Sequence, residues 1–158
     1  MKLSSRSKYS AQGLVVVFIL VAILVGIWWY LHSTKASTEQ DAIRYGHDVI
    51  DRLVMKHDRS VLDNDLAPQA KMEMPPSQRD FLIQQIAQFG TPMEPIKIED
   101  NVSFDQVLGG LMATNPHGIF TAHLNYPAQA VTLQLATSQG ATKWLIENIT
   151  LTKGNVGQ

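Results

Sequence analysis

From Gly13 to Leu31 the chain reads GLVVVFILVAILVGIWWYL, nineteen residues without a charged side chain. At about 1.5 Å rise per residue such a helix matches the roughly 30 Å hydrocarbon core of a bilayer. The pattern then becomes amphipathic: Ile43, Gly46, Ile50, Leu53, Val54 and His57 recur at helical spacing, opposite Arg44, Tyr45, Asp48, Arg52 and Lys56. That spacing predicts a helix over 39–57 with one buried face. Val61, Leu62 and Leu66 predict a short second helical turn before Pro68, and 67–76 (APQAKMEMPP) reads as a loop. A further helix is punctuated by Ser77 as its cap, an apolar side of Phe81, Leu82, Ile86 and Phe89, and a stop at Gly90 and Pro92.

After Pro92 the period shortens from helical to alternating. Ile96, Ile98, Asp100, Val102 and Phe104 share one parity, and Phe120, Ala122, Leu124 and Tyr126 share another such face. Residues 105–116, with Gly109-Gly110 and Asn115-Pro116, read as a connection with room for one irregular strand. Val131, Leu133 and Leu135 form a third strand. In 142–152 Trp144 and Ile146 fall on one parity but Ile149 and Leu151 on the other, which a β-bulge near Glu147-Asn148 reconciles. Short turns at 127–129 and 138–140 make the strands an antiparallel meander. The fold class is therefore α+β: a single N-terminal transmembrane helix, then helices packed on an antiparallel sheet.

Charge orients this arrangement. Lys2, Arg6 and Lys8 precede the apolar run, while residues 32–158 hold ten basic and fourteen acidic side chains. The positive-inside bias predicts 1–12 as a cytoplasmic basic tail, 13–31 as the membrane span, 32–38 as a short linker, 39–152 as the external domain and 153–158 as a tail. Trp28, Trp29 and Tyr30 fall at the outer membrane interface, where amphipathic rings favour the headgroup layer. The apolar run exceeds the roughly 7–15 residues of a signal-peptide core, which favours an uncleaved anchor over a cleaved leader. Gln12-Gly13 is similar to the type IV pilin processing site, but Phe18 stands where pilins carry Glu; a pilin-like subunit is thus one alternative. With no Cys there is neither a disulfide nor a thiolate metal site, and the overall charge of −1 gives no basic footprint for nucleic acid.

The order of helices, then a meander closed by a strand with an early Trp, resembles the nuclear-transport-factor-2-like (cystatin-like, SnoaL-like) superfamily. The residues that carry the likeness are Phe81 through Phe89 with Gly90, the Tyr126 strand, and Lys143 to Ile149. The resemblance covers 38–152 and implies a cone-shaped domain whose concave sheet face is closed by the N-terminal helices. That superfamily hosts enzymes, ligand binders and assembly subunits, so its fold does not imply one activity. In layout the chain is also similar to the inner-membrane scaffold family of type IV secretion.

Candidate chemistry is sparse. His57 and Asp100 are the polar residues on otherwise apolar faces, and with Phe120, Tyr126 and Trp144 they are the candidate lining of a pocket in the cone, although a domain of this size more often uses such aromatics to fill its core. Burying either polar group without a partner is costly, so the two facing each other would make a ligand-contacting pair, whereas separation favours a structural role. His47 lies at the edge of the same helical stripe. His117 and His123 are six residues apart on one strand, roughly 20 Å, too far to share a metal. Asp63, Asp65 and Glu99 read as solvated turn or surface acids, and Asp63-Asn64-Asp65 lacks the Gly and terminal Glu of a calcium loop. Asn101-Val102-Ser103 and Asn148-Ile149-Thr150 match the glycosylation sequon. No phosphate loop, nucleophile elbow or His-Glu-x-x-His motif is present, so no catalytic residue, metal or cofactor is expected.

The sequence therefore points to a non-enzymatic, single-pass inner-membrane protein with a periplasmic interaction domain serving an envelope assembly. Its expected partners are the lipid bilayer and membrane or periplasmic proteins, with a homo-oligomer as one option and no nucleic acid. The alternative is a binder of a small apolar ligand, with or without isomerase-like chemistry.

Overall fold

A computed structural model describes residues 11–107 and 112–154. The chain divides after Ser37 into two units. The first helix, α1 (Ala11–Val54), contributes to both. Residues 32–38 are helical backbone within α1, and the division between the units falls among them. In the first unit every described side chain from Val17 to Tyr30 is exposed, on all faces of the helix. This is the helix long and apolar enough to cross a membrane.

The second unit joins the C-terminal part of α1 to α2 (Ser60–Asp65), α3 (Pro68–Glu73), α4 (Pro76–Phe89) and the strands β1 (Met93–Val107), β2 (Met112–Asn125), β3 (Ala130–Gln139) and β4 (Trp144–Gly154). The strands form one antiparallel meander in the order β1-β2-β3-β4. Ala42, Val49, Ile50, Leu53 and Val54 of α1 are buried with Phe120, Ala122, Leu124, Val131, Leu133 and Leu135 of the sheet, so the helical period of one element meets the two-residue period of the other. Gly46 makes the close approach: a Cβ there would lie 2.5 Å from ring atoms of Phe120. The absent side chain is the space the ring occupies.

Several local features depart from the sequence reading. Residues 67–76 are not a loop throughout, because Pro68 takes the first position of α3, where its fixed φ is favourable and its missing N–H costs nothing. The same logic moves the start of α4 from Ser77 to Pro76, with extended Pro75 before it. Gly90 ends α4 as expected, in a positive-φ conformation (83°). Phe81, expected on the apolar side of α4, is 65% exposed, while Arg79 is buried beside Leu82 and Ile86.

α1 ends at Val54, short of His57. His57 adopts left-handed backbone (φ 50°), and the next amide, Asp58 N–H, turns back to the Arg52 carbonyl at 2.9 Å. The 105–116 segment is largely strand: β1 and β2 continue through it, while Gly109-Gly110 lies outside the described residues. Phe104 pairs with Pro116 and Asp105 with Thr114, leaving Asn115, at φ 46°, as the extra residue of a bulge. The bulge expected in β4 is present: Ala136 pairs with Asn148 and Thr137 with Ile146, so Glu147 is extra and Ile146 and Ile149 both reach the core.

Candidate functional site

The polar pair on the helix-facing side of the sheet is His47 with Asp100, joined by a 2.8 Å hydrogen bond between Nε2 and Oδ1. The register explains it. Asp100 lies directly opposite Phe120, the Phe120 ring fills the space at Gly46, and His47 is the next residue of α1. The imidazole stands edge-on to that ring, with centroids 6.4 Å apart and planes at 88°. The side chains are 43% and 27% exposed, so the pair lies at the margin of the core and is wetted. With the proton on Nε2, the carboxylate fixes the imidazole orientation and leaves Nδ1 as an acceptor.

His57 is not the partner of Asp100. Its Nε2 is buried without a hydrogen-bond partner, as are the hydroxyls of Tyr45 and Tyr126. Phe120, Tyr126 and Trp144 are 0%, 4% and 8% exposed and belong to the continuous core. Trp144 stacks on Tyr45 with centroids 6.4 Å apart, and Tyr126 tilts against Phe89 at 5.4 Å. Burial pushes the Tyr45 hydroxyl above its ordinary range, with the nearby Asp65 carboxylate adding to the effect; burial also raises Tyr126.

Of the candidate lining residues, Tyr126 borders a cleft. This hollow of about 550 Å³ lies between Met93-Glu94-Pro95 and the Asn125 to Ala130 turn. A smaller one, about 200 Å³, opens between Met74 of the α3–α4 junction and Glu147 of the β4 bulge. His117 and His123 sit on the opposite sheet face from Phe120, at 3.7 Å from Asp105 and 3.6 Å from Glu99 respectively. Among the described residues no group of three or more potential metal ligands comes together.

Among the described residues, two ion networks tie helices to one another or to the following turn, and the sequence reading singled out neither. Arg79 donates from Nε to the Met74 carbonyl (2.9 Å) and from Nη1 to Asp63 (3.0 Å), and Arg59 reaches both Asp63 (3.3 Å) and Asp80 (2.6 Å). The signal was present: Arg79 lies three residues before Leu82 and seven before Ile86, on the buried stripe of α4. In the second network Arg52 donates to Asp58 Oδ2 at 3.0 and 2.7 Å, and the Ser60 amide donates to Asp58 Oδ1 at 2.9 Å.

The Ser60 side chain and the Arg52 guanidinium hold the Asp58 carboxyl down at about 2. Because the folded value lies below the unfolded one, this stabilisation is complete above the unfolded carboxylate range, near 4, and is lost as pH falls through 2. The melting temperature of Asp58→Asn should therefore lie below that of the parent at pH 6, with the gap closing on acidification toward pH 2. A gap independent of pH would mean that the carboxylate charge is not what closes this turn.

The fold and site together define an α+β domain, with a helix layer on a four-stranded antiparallel meander, in a chain that also carries a long apolar N-terminal helix. No protein-family model, curated protein or solved structure matches the chain.

Proposed function

We propose that the chain is a single-pass inner-membrane protein whose C-terminal domain is a periplasmic interaction module, a non-enzymatic scaffold or accessory subunit of an envelope assembly. The observation that carries this reading is the uninterrupted apolar surface from Val17 to Tyr30, exposed around the whole helix. A helix apolar on every side needs an apolar surround, and lipid supplies one. Trp28, Trp29 and Tyr30, 69–72% exposed, then meet the headgroups, with the basic flank of Lys2, Arg6 and Lys8 on the cytoplasmic side.

The use of Phe120, Tyr126 and Trp144 as core supports a domain that acts through its surface rather than through an apolar cavity in the cone. Holding such a domain on a membrane raises its effective concentration toward other membrane components without any new contact.

The test is topological. The chain should stay in the pellet after alkaline carbonate extraction of membranes. A reporter active only in the cytoplasm should be silent when fused after Gln158, and one active only after export should work. Release by carbonate removes the anchor reading, and a reversed reporter pattern removes the periplasmic assignment.

A further inference from the structure

The two edges of the sheet are treated differently. On the outer side of β4, Leu66 forms a parallel bridge with Ile146, and the Ala67 amide donates to the Ile146 carbonyl at 2.8 Å, so the chain partly caps its own edge. β1 pairs with β2 without interruption from Lys97 to Phe104, and no described strand or bridge pairs with its other side. Coverage follows the same asymmetry. Phe120, Ala122 and Leu124 on β2 are 0–1% exposed, whereas Ile96, Ile98 and Val102 on β1 pack against the core but are only partly buried. An unpaired strand with an incompletely covered apolar face is a template for another strand.

We infer that β1 is a self-association edge, and that two copies of this chain pair β1 to β1 antiparallel about a two-fold axis at Ile98. The charge pattern favours a second copy as the occupant and is compatible with this register. Across such an axis, the residue before the centre faces the residue after it in the other copy. Centring on Ile98 sets Lys97 against Glu99 twice and Ile98 against Ile98. Centring on Lys97, Glu99 or Asp100 places like charges directly opposite each other, which is destabilising.

Lys97 and Glu99 have side chains 73% and 56% exposed and already form a 3.0 Å pair within each strand, so dimerisation exchanges the two internal ion pairs for two across the axis. Ile96 falls opposite Asp100, whose carboxylate is held by His47. Pro95, without an N–H, bounds the ladder, leaving a pairing from Ile96 to Asp100 in each copy. Because the β4 edge is partly capped, the association closes at two copies.

The absence of cysteine makes the test specific. In the purified full chain, Ile98→Cys should form a disulfide-linked dimer on mild oxidation. Asn101→Cys should not, because the two copies of that residue are offset by six positions, roughly 20 Å. Sedimentation of chains that retain Ile98 tests the same point without touching the packing. Lys97→Glu should lower dimer formation about ten-fold, as two attractive pairs become two repulsive ones, and Lys97→Glu/Glu99→Lys should restore it. A parent chain that sediments as a monomer, equal crosslinking at residue 101, failure of the charge exchange to restore the dimer, or a ladder of species beyond the dimer would each overturn the inference.

Discussion

Replacing Phe120 with alanine is expected to cost about 3–5 kcal/mol of stability, among the largest losses for any single truncation in the domain. The ring is fully buried between α1 and β2, with Gly46 against it and Gly118, whose added Cβ would lie 2.6 Å from the ring, also against it. Gly46 itself has no side chain to move into the cavity. The complementary change is Gly46→Ala. In an exposed helix that substitution gains about 1 kcal/mol, but here the new methyl meets the ring, and overpacking of this kind costs about 1–3 kcal/mol. The sign of the effect therefore reports the contact.

Denaturant titration followed by far-ultraviolet circular dichroism would measure both changes. Gly46→Ala combined with Phe120→Leu should be less destabilised than the sum of the single variants, as for residues that share one space. A neutral or stabilising Gly46→Ala would show that α1 does not lie on Phe120.

Loss of the Arg79 guanidinium should destabilise the helix layer by about 3 kcal/mol, near the lower end for breaking a buried ion pair. The value falls at that end because Asp63 is 41% exposed and keeps a second partner in Arg59. Arg79→Met preserves most of the aliphatic packing and still leaves the Met74 carbonyl without its donor, so it should behave more like Arg79→Ala than like the parent. Arg59 also bridges Asp63 and Asp80, yet it is 44% exposed; Arg59→Ala should cost about 1 kcal/mol or less. Equal effects at the two arginines would contradict the assignment of the buried one as the organising contact between α2, α3 and α4.

The elements were legible in the sequence wherever a local period recorded one-sided burial. The alternating residues of β2 and β3, the stripe of Ile50, Leu53 and Val54 on α1, and the stop at Gly90 all follow from that rule. So did the parity change within β4, which located the Glu147 bulge. The pattern misled where the local signal was ambiguous. Prolines 68, 75 and 76 suggested a loop, yet proline at a first helical position starts a helix as readily as it ends one. Ser77 looked like a cap because its residue type fits, but a cap also requires the chain to turn at that point.

What the sequence by itself determined was the apolar N-terminal helix, the α+β class, the strand order of the meander and most of the buried face. Each of these depends on residues within a few positions of one another. The tertiary structure alone decided that Asp100 meets His47 rather than His57 and that Arg79 reaches across to Asp63. Those outcomes depend on distances between residues far apart in the chain, 53 positions for His47 and Asp100. Such a distance is set by strand register and by how closely a helix can approach a sheet, and here the space left at Gly46 sets that approach.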